Sequence, residues 1–205
     1  MTPADFIRTH LPLAKVPQVG NIRLHLATPA SGLRRLTRAT PYWAYVWAGG
    51  TVLCRYLQDN PEVVRGLRVL DLGAGSGVVG IMAGRAGASV CAAESDPLAQ
   101  IAIGLNASAN AVPVQVLPGI AQLDPVPQVD LILVGDLFYD PDMTTLVLAF
   151  LDRAMAQGID VLVGDPGRVG LPLQRLRPIA QYDVPDFGRM AAAPATVYRL
   201  VRQPE

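Results

Sequence analysis

One short stretch constrains this chain more than any other: Val69-Leu70-Asp71-Leu72-Gly73-Ala74-Gly75-Ser76-Gly77, an apolar run, an aspartate and a glycine-rich turn. Val78, Val79, Ile81 and Met82 follow, the pattern of a helix that packs on a sheet. Glycine permits positive φ and close main-chain approach. The helix after the turn aims its unpaired N–H groups into the same crevice. Many nucleotide-binding folds share that geometry, so Asp71 is the discriminating residue. A carboxylate ahead of the turn suits a ligand carrying an ammonium group and is a poor neighbour for a pyrophosphate.

From Leu67 onward strand-like and helix-like segments alternate. Arg68–Leu72 and Ser89–Ala93 read as strands around a helix from Val78 to about Arg85, with Gly87 as its terminator. Asp96-Pro97 pairs an N-cap with a proline at the first helical position. Leu98, Ile101, Ala102 and Leu105 give that helix one apolar face. Val114–Leu117 and Asp130–Val134 are further strands. Asp140-Pro141 repeats the start signal for a helix running to Gly158, and Asp160–Val163 is another buried strand. Tyr182–Val184 and Thr196–Val201 follow as an antiparallel pair. Such alternation predicts an α/β fold, a mostly parallel sheet with helices on both faces and an antiparallel C-terminal strand.

Residues 67–205 read as the core of one structural domain, and residues 1–66 as a less regular segment that packs on it and caps the ligand site. In that segment Asn21–Thr28 reads as a strand or hairpin and Thr51–Gln58 as a short helix. Between them, Pro41–Gly50 holds Trp43, Trp47, Tyr42 and Tyr45. These aromatics either pack the segment onto the domain or cover a ligand, since aromatic rings bury area and face cations. The consecutive glycines Gly49 and Gly50 favour the second, because they admit a backbone close to a ligand.

Seventeen basic residues balance seventeen acidic ones, so no global field recruits nucleic acid or a membrane surface. Cys54 and Cys91 cannot build a disulfide framework, and no signal peptide is read, which makes a reducing cytoplasm the expected compartment. No apolar run approaches the length of a membrane span. No metal is expected.

Two ligand classes compete for the glycine loop. Gly75-Ser76-Gly77-Val78-Val79-Gly80 fits the G-x-G-x-x-G dinucleotide pattern, with Glu94 on a ribose of NAD. S-adenosyl-L-methionine is the other. It has no phosphates, and it offers an ammonium for Asp71, a ribose diol for Glu94 and a sulfonium that tolerates aromatic faces. On this reading Asp71 and Glu94 flank one crevice. Alternatively Asp71 caps the turn and Glu94 sits in solvent.

The glycine region and Glu94 resemble motif I and its acidic follow-up in class I, seven-β-strand methyltransferases with a Rossmann-like fold. Gly135-Asp136-Leu137-Phe138-Tyr139-Asp140, directly after a strand, is similar to the Asp-x-Phe-Tyr signature of the family 16 protein methyltransferases, and Pro41–Gly50 to that family's tryptophan motif. Further blocks (Arg55–Pro61, Leu105-Asn106 and Val163-Gly164-Asp165-Pro166-Gly167-Arg168) look most like the branch that methylates lysine on the β-subunit of electron transfer flavoprotein.

The resemblance implies a role for each matching position. Gly73, Gly75 and Gly77 would line the methionine moiety of the cofactor with Asp71 at its amino end, and Glu94 would take the ribose hydroxyls. Trp47 and Gly50 would approach from the N-terminal side. Asn106 would contact the cofactor side or merely pack in its helix. Leu117-Pro118-Gly119 offers no acid or amide for adenine, so main-chain groups near Gly119 would serve. Asp136, Phe138 and Tyr139 would border the transferred methyl and the incoming lysine, with Trp43 on the substrate side. Asp140 belongs to the signature but also precedes Pro141 as a helix cap. Arg168 would meet an acidic patch on the partner, or simply end a tight turn.

Methyl transfer to nitrogen needs a neutral amine, and a free lysine is only ~0.1% neutral near pH 7.4. Burial beside a sulfonium lowers its pKa, since both effects disfavour the ammonium. No strong general base is then required, and neither His10 nor His25 lies in a motif. Asp136 is expected to position the amine. A methyltransferase for another protein or a small amine, and a dinucleotide-dependent oxidoreductase, are the competing readings.

Overall fold

The computed structural model describes residues 1–188 and 191–202. Thr2 opens the chain's first helix, α1 (Pro3–His10), through a reciprocal capping box with Asp5. Strands β1 (Leu13–Lys15) and β2 (Arg23–His25) form a small antiparallel hairpin. Only its second strand was expected, because Leu13–Lys15 is too short to show alternation. Helix α2 runs over Ala48–Asp59.

The main sheet then builds through β3 (Arg68–Leu72), β4 (Ser89–Ala93), β5 (Val114–Leu117), β6 (Leu131–Gly135), β7 (Asp160–Asp165), β8 (Leu176–Val184) and β9 (Ala193–Leu200). Helices α3 (Val78–Arg85), α4 (Pro97–Ala109) and α5 (Pro141–Ala156) connect its parallel strands. Spatial order is β5-β4-β3-β6-β7-β9-β8, with β9 antiparallel to both neighbours. This is the expected seven-stranded Rossmann-like sheet. Asp96 and Asp140 cap α4 and α5, accepting from the amides of Leu98 and Met143 at 2.8 and 2.9 Å.

Strand alternation sorts the core into two layers. Val69, Leu131, Leu133 and Leu162 face α2 and α3. Leu70, Leu72, Ile132, Val134, Val161 and Val163 face Val147, Phe150, Leu151 and Ala154 of α5. Ile103 of α4 packs on Ala74 and Ala92, on the same side as α3. The α5 side is completed by the irregular segment between β5 and β6, which contributes Leu123, Val126 and Val129.

The hairpin is tied to α4 by two asparagines one turn apart. Asn106 accepts from the His25 amide at 2.8 Å, and Asn110 accepts from the Arg23 amide at 3.0 Å while donating back to the Arg23 carbonyl. No helix among the described residues is long and apolar enough to cross a membrane.

Candidate active site

A cavity of about 710 Å³ opens where the C-terminal ends of β3, β4 and β6 meet the loops that follow them. In an open parallel sheet this edge is where ligands bind. Gly73, Gly75, Glu94, Gly119, Asp136, Tyr139, Arg168, Trp43 and Trp47 all line it. Positions as distant in sequence as 43 and 168 therefore share one wall.

The glycine loop forms the floor. Gly73, Gly75 and Gly77 all have positive φ, and a β-carbon at Gly73 would strike the Leu137 side chain. Gly77 starts α3 and does not line the cavity. Glu94 leaves β4 and folds back over the loop, accepting from the amides of Gly75 (2.8 Å), Ser95 (2.7 Å) and Asp96 (3.0 Å). Gly119 passes so close to Ser95 that no side chain fits between them. Ile120, Leu137 and Met143 make the neighbouring wall apolar.

Asp71 does not share this hollow with Glu94, which corrects the expectation of two carboxylates flanking one crevice. Its side chain points to the α3 side of the sheet, where the Gly80 amide donates to it at 2.8 Å. It borders only a recess of about 50 Å³ behind the glycine loop, shared with Gly50, Ser76 and Val79. Burial pushes its pKa up to about 7 despite the Gly80 hydrogen bond, with Glu94 adding repulsion. Strand parity explains the placement, since Asp71 shares a face with Val69. The turn-capping alternative describes this contact.

The glycine pair of the aromatic segment also has a different partner from the one expected. Gly49 lies against the backbone of β7, where an added β-carbon would meet the Gly164 carbonyl. One at Gly135 would lie 3.1 Å from the Gly50 Cα. The close approach these glycines allow is of α2 to the sheet. Asn106 is fully buried and joins the glycine loop to the hairpin, donating to the Ser76 carbonyl at 2.9 Å. It has no place in the cavity wall.

Asp136 follows β6 with φ of 55°, an uncommon conformation for a residue with a side chain. Its carboxylate accepts from the Gly49 amide at the start of α2 and from Arg168 Nε at 2.8 Å. Burial raises its pKa, with Arg168 opposing that shift. Arg168 also reaches Asp186 Oδ1 at 3.2 Å, and its guanidinium lies 5.9 Å from the centre of the Trp47 ring. Asp186, in the loop after β8, accepts in turn from the Ala48 amide at 3.2 Å. Arg168 is thus committed to two internal carboxylates, and the geometry lends no support to an outward role on an acidic patch.

Phe138 points away from the cavity and is fully buried among the residues facing α5. It cannot border a reacting group without leaving that core. Tyr139, half exposed, lines the cavity, and burial pushes its phenol up, with Asp140 contributing. Asp140 is the helix cap and lies outside the wall.

Trp43 is almost fully buried, and its indole N–H has no hydrogen-bond partner among the described residues. Trp47 donates to the Tyr42 carbonyl at 2.9 Å. Asp165, ending β7, accepts from the amides of Gly167 and Arg168 at 2.6 Å each, and burial carries its pKa to about 6. Asp186 escaped the sequence reading because it sits in no motif and its partners lie on distant segments.

Solved structures with the same architecture include a ribosomal protein L11 methylase from Lactobacillus delbrueckii subsp. bulgaricus (TM-score 0.53, 18% identity, covering 77% of this chain and 82% of that one). Another is a Pyrococcus abyssi tRNA (uracil-54, C5)-methyltransferase in complex with S-adenosyl-L-homocysteine (TM-score 0.55, 18% identity, covering 74% and 38%). At these identities they establish the fold. Electron transfer flavoprotein beta subunit lysine methyltransferase of Xenopus laevis is 39% identical over 197 residues, covering 90% of this chain and 80% of the frog protein. The protein of that name in Homo sapiens is 45% identical over 132 residues, covering 62% of this chain and 50% of its own length. The chain spans 60% of the corresponding Rattus norvegicus protein, at 43% identity over 153 residues. A family model described as lysine methyltransferase matches residues 41–168, from the aromatic segment to Arg168. The chain belongs to the lysine methyltransferase family.

Proposed function

We propose that this chain transfers a methyl group from S-adenosylmethionine to a lysine on the β-subunit of electron transfer flavoprotein, the substrate in its relatives' names. The observation that carries the reading is the single cavity wall uniting the glycine loop, Glu94, Asp136 and Tyr139 in a chain of this family. Its size and mixed lining suit a nucleoside cofactor, and the unpaired Trp43 N–H supplies a donor beside it.

In this reading Gly73, Gly75 and Glu94 hold the cofactor, with Gly119 and Ile120 at its base and Trp47 on the N-terminal side. Asp71 and Asn106 act from behind by fixing the glycine loop. S-adenosylmethionine supplies an electrophilic methyl group on a positively charged sulfur. Tyr139 and Trp47 exclude water from the incoming side chain, which favours the neutral amine. Asp136, held by Arg168 and the Gly49 amide, keeps lone pairs for the amine N–H and aligns it. Alignment of this kind supplies up to ~7–11 kcal/mol of a barrier. Residues 1–66 serve as the cap, and the free cysteines Cys54 and Cys91 accord with a cytoplasmic setting.

Purified electron transfer flavoprotein β-subunit incubated with methyl-labelled cofactor should gain label on lysine, mapped by mass spectrometry. S-adenosylhomocysteine should raise the melting temperature while NADH does not. Stabilisation by NADH alone would return the site to the oxidoreductase reading.

A further inference from the structure

We infer that Tyr42, Tyr139, Val169 and Phe187 form an apolar collar at the cavity mouth that grips an apolar side chain next to the target lysine of the protein substrate. That role rests on the lysine methyltransferase reading above, whichever protein supplies the lysine.

The collar comes from four segments far apart in sequence. Tyr42 belongs to the aromatic segment and Tyr139 follows β6; both line the cavity, with 62% and 50% of their surface exposed. Phe187, in the loop after β8, lies 4.2 Å from Tyr45 and 5.3 Å from Trp47 between ring centres, and half of it still stands in solvent. Tyr42 also meets Trp47, at 5.8 Å.

Val169 is the most exposed of the four, at 93%. Its position is nonetheless fixed. The Leu171 amide donates to the Arg168 carbonyl at 3.1 Å and closes a tight turn with Val169 inside it. Asp165 holds the amides ahead of that turn, Leu171 is buried behind it, and the Gly170 amide donates to the Phe138 carbonyl at 3.1 Å. The turn is thereby pinned beside Tyr139 with an apolar side chain in water.

Single exposed apolar residues are ordinary, but a group of them around one opening marks a contact surface. Tyrosine and phenylalanine are enriched at protein interfaces. The chemistry of the family says what covers this one. A lysine reaches the cavity on a four-carbon stem, so the polypeptide that bears it must lie across the mouth with its neighbouring side chains against the collar. Arg168, the one cation among the described residues lining the cavity, is already paired with Asp136 and Asp186. Its charge is satisfied within the protein, and selection at the collar is by apolar contact.

The test is fluorescence anisotropy at saturating S-adenosylhomocysteine, with two labelled peptides of equal length and charge whose central lysine is flanked by leucines or by serines. The leucine peptide should bind the wild type, and an Ile179→Ser control on edge strand β8, about tenfold tighter. The preference should persist in about 0.5 M salt, which screens charge and not apolar burial. Val169→Ser should cut it to about threefold and Val169→Ser/Phe187→Ser to below about twofold, while Val169→Leu keeps it. Calorimetry should find the S-adenosylhomocysteine affinity of Val169→Ser within about twofold of wild type, since that side chain stands in solvent. Equal affinity of the wild type for both peptides overturns the inference, as does a preference that survives in the double variant or falls equally in the control. Binding to phosphatidylcholine–phosphatidylglycerol vesicles, or a dimer in sedimentation, either one abolished by the double substitution while the peptides bind alike, overturns it in favour of a membrane or a second copy. Binding is read without methyl transfer, so failure of the β-subunit to accept label leaves this comparison intact.

Discussion

Asp186 and Arg168 meet at 3.2 Å across the rim of the cavity, and through that contact the loop after β8 governs how Asp136 is held. Arg168 is a shared cation between Asp136 and Asp186, and both carboxylates also accept from the first amides of α2. Asp186→Asn keeps the shape and removes one charge. Turnover on the protein substrate should fall about tenfold, while calorimetry shows S-adenosylhomocysteine affinity unchanged within about twofold. Loss of cofactor affinity equal to the loss of turnover would mean the contact only supports folding.

Gly49→Ala and Gly104→Ala should move stability in opposite directions. A methyl group at 49 has no room against the Gly164 carbonyl, and overpacking of this kind costs about 1–3 kcal/mol. Position 104 lies in α4 with open space around it, so alanine should add about 0.5–1 kcal/mol through helix propensity. Urea denaturation of both variants reads the difference directly.

Asp71 makes stability depend on pH in an unusual sense. Its folded pKa of about 7 lies above the unfolded value of about 3.9. The folded state therefore holds the extra proton between roughly pH 4 and 7, and stability falls as pH rises through that window. The slope approaches about 1.4 kcal/mol per pH unit for one proton. Asp165, raised to about 6, acts in the same direction at lower pH. Asp71→Asn can still accept from Gly80, so the variant should be the more stable protein at pH 8 and show a shallower profile. An unchanged profile would remove Asp71 as its source.

Asn106→Ala strips the His25 amide and the Ser76 carbonyl of a shared partner. The cost should be about 1–3 kcal/mol, the usual penalty for stranding buried polar groups. Hydrogen exchange should quicken first at the His25 amide, ahead of the β3 amides.

Phe138→Ala separates a core role from a reacting-site role. Removing a fully buried phenylalanine should cost about 3–5 kcal/mol of stability. At a temperature where the variant remains folded, turnover per folded molecule should stay within about threefold of wild type.

Much of the fold was readable because its signals are local. Asp96-Pro97 and Asp140-Pro141 announce helices by satisfying terminal amides, and apolar runs such as Leu131–Val134 have one compact way to be buried. The positions that resisted reading depend on which side of the sheet a side chain emerges. Leu70, Asp71 and Leu72 are all buried, so alternation leaves no polar face to reveal that Asp71 turns toward α3. Phe138 and Tyr139 are adjacent, yet one enters the core and the other the cavity, a choice made by the turn at Asp136. Gly49 and Gly50 announce close approach without naming what approaches. Asp186 had no local signal, since its meaning comes from Arg168 and Ala48.

The position of β9 between β7 and β8 sets an order on assembly. Among the described strands it comes last in the chain, yet it occupies an interior place, and the segment after β8 carries Asp186 and Phe187, the latter packed at a tilt against Tyr45 and Trp47. Without β9 the sheet would be open between β7 and β8, and the segment that brings Phe187 to Trp47 would lose an anchor. Residues far along the chain therefore steady the cavity's N-terminal wall, through Phe187 against Trp47 and Asp186 against Arg168.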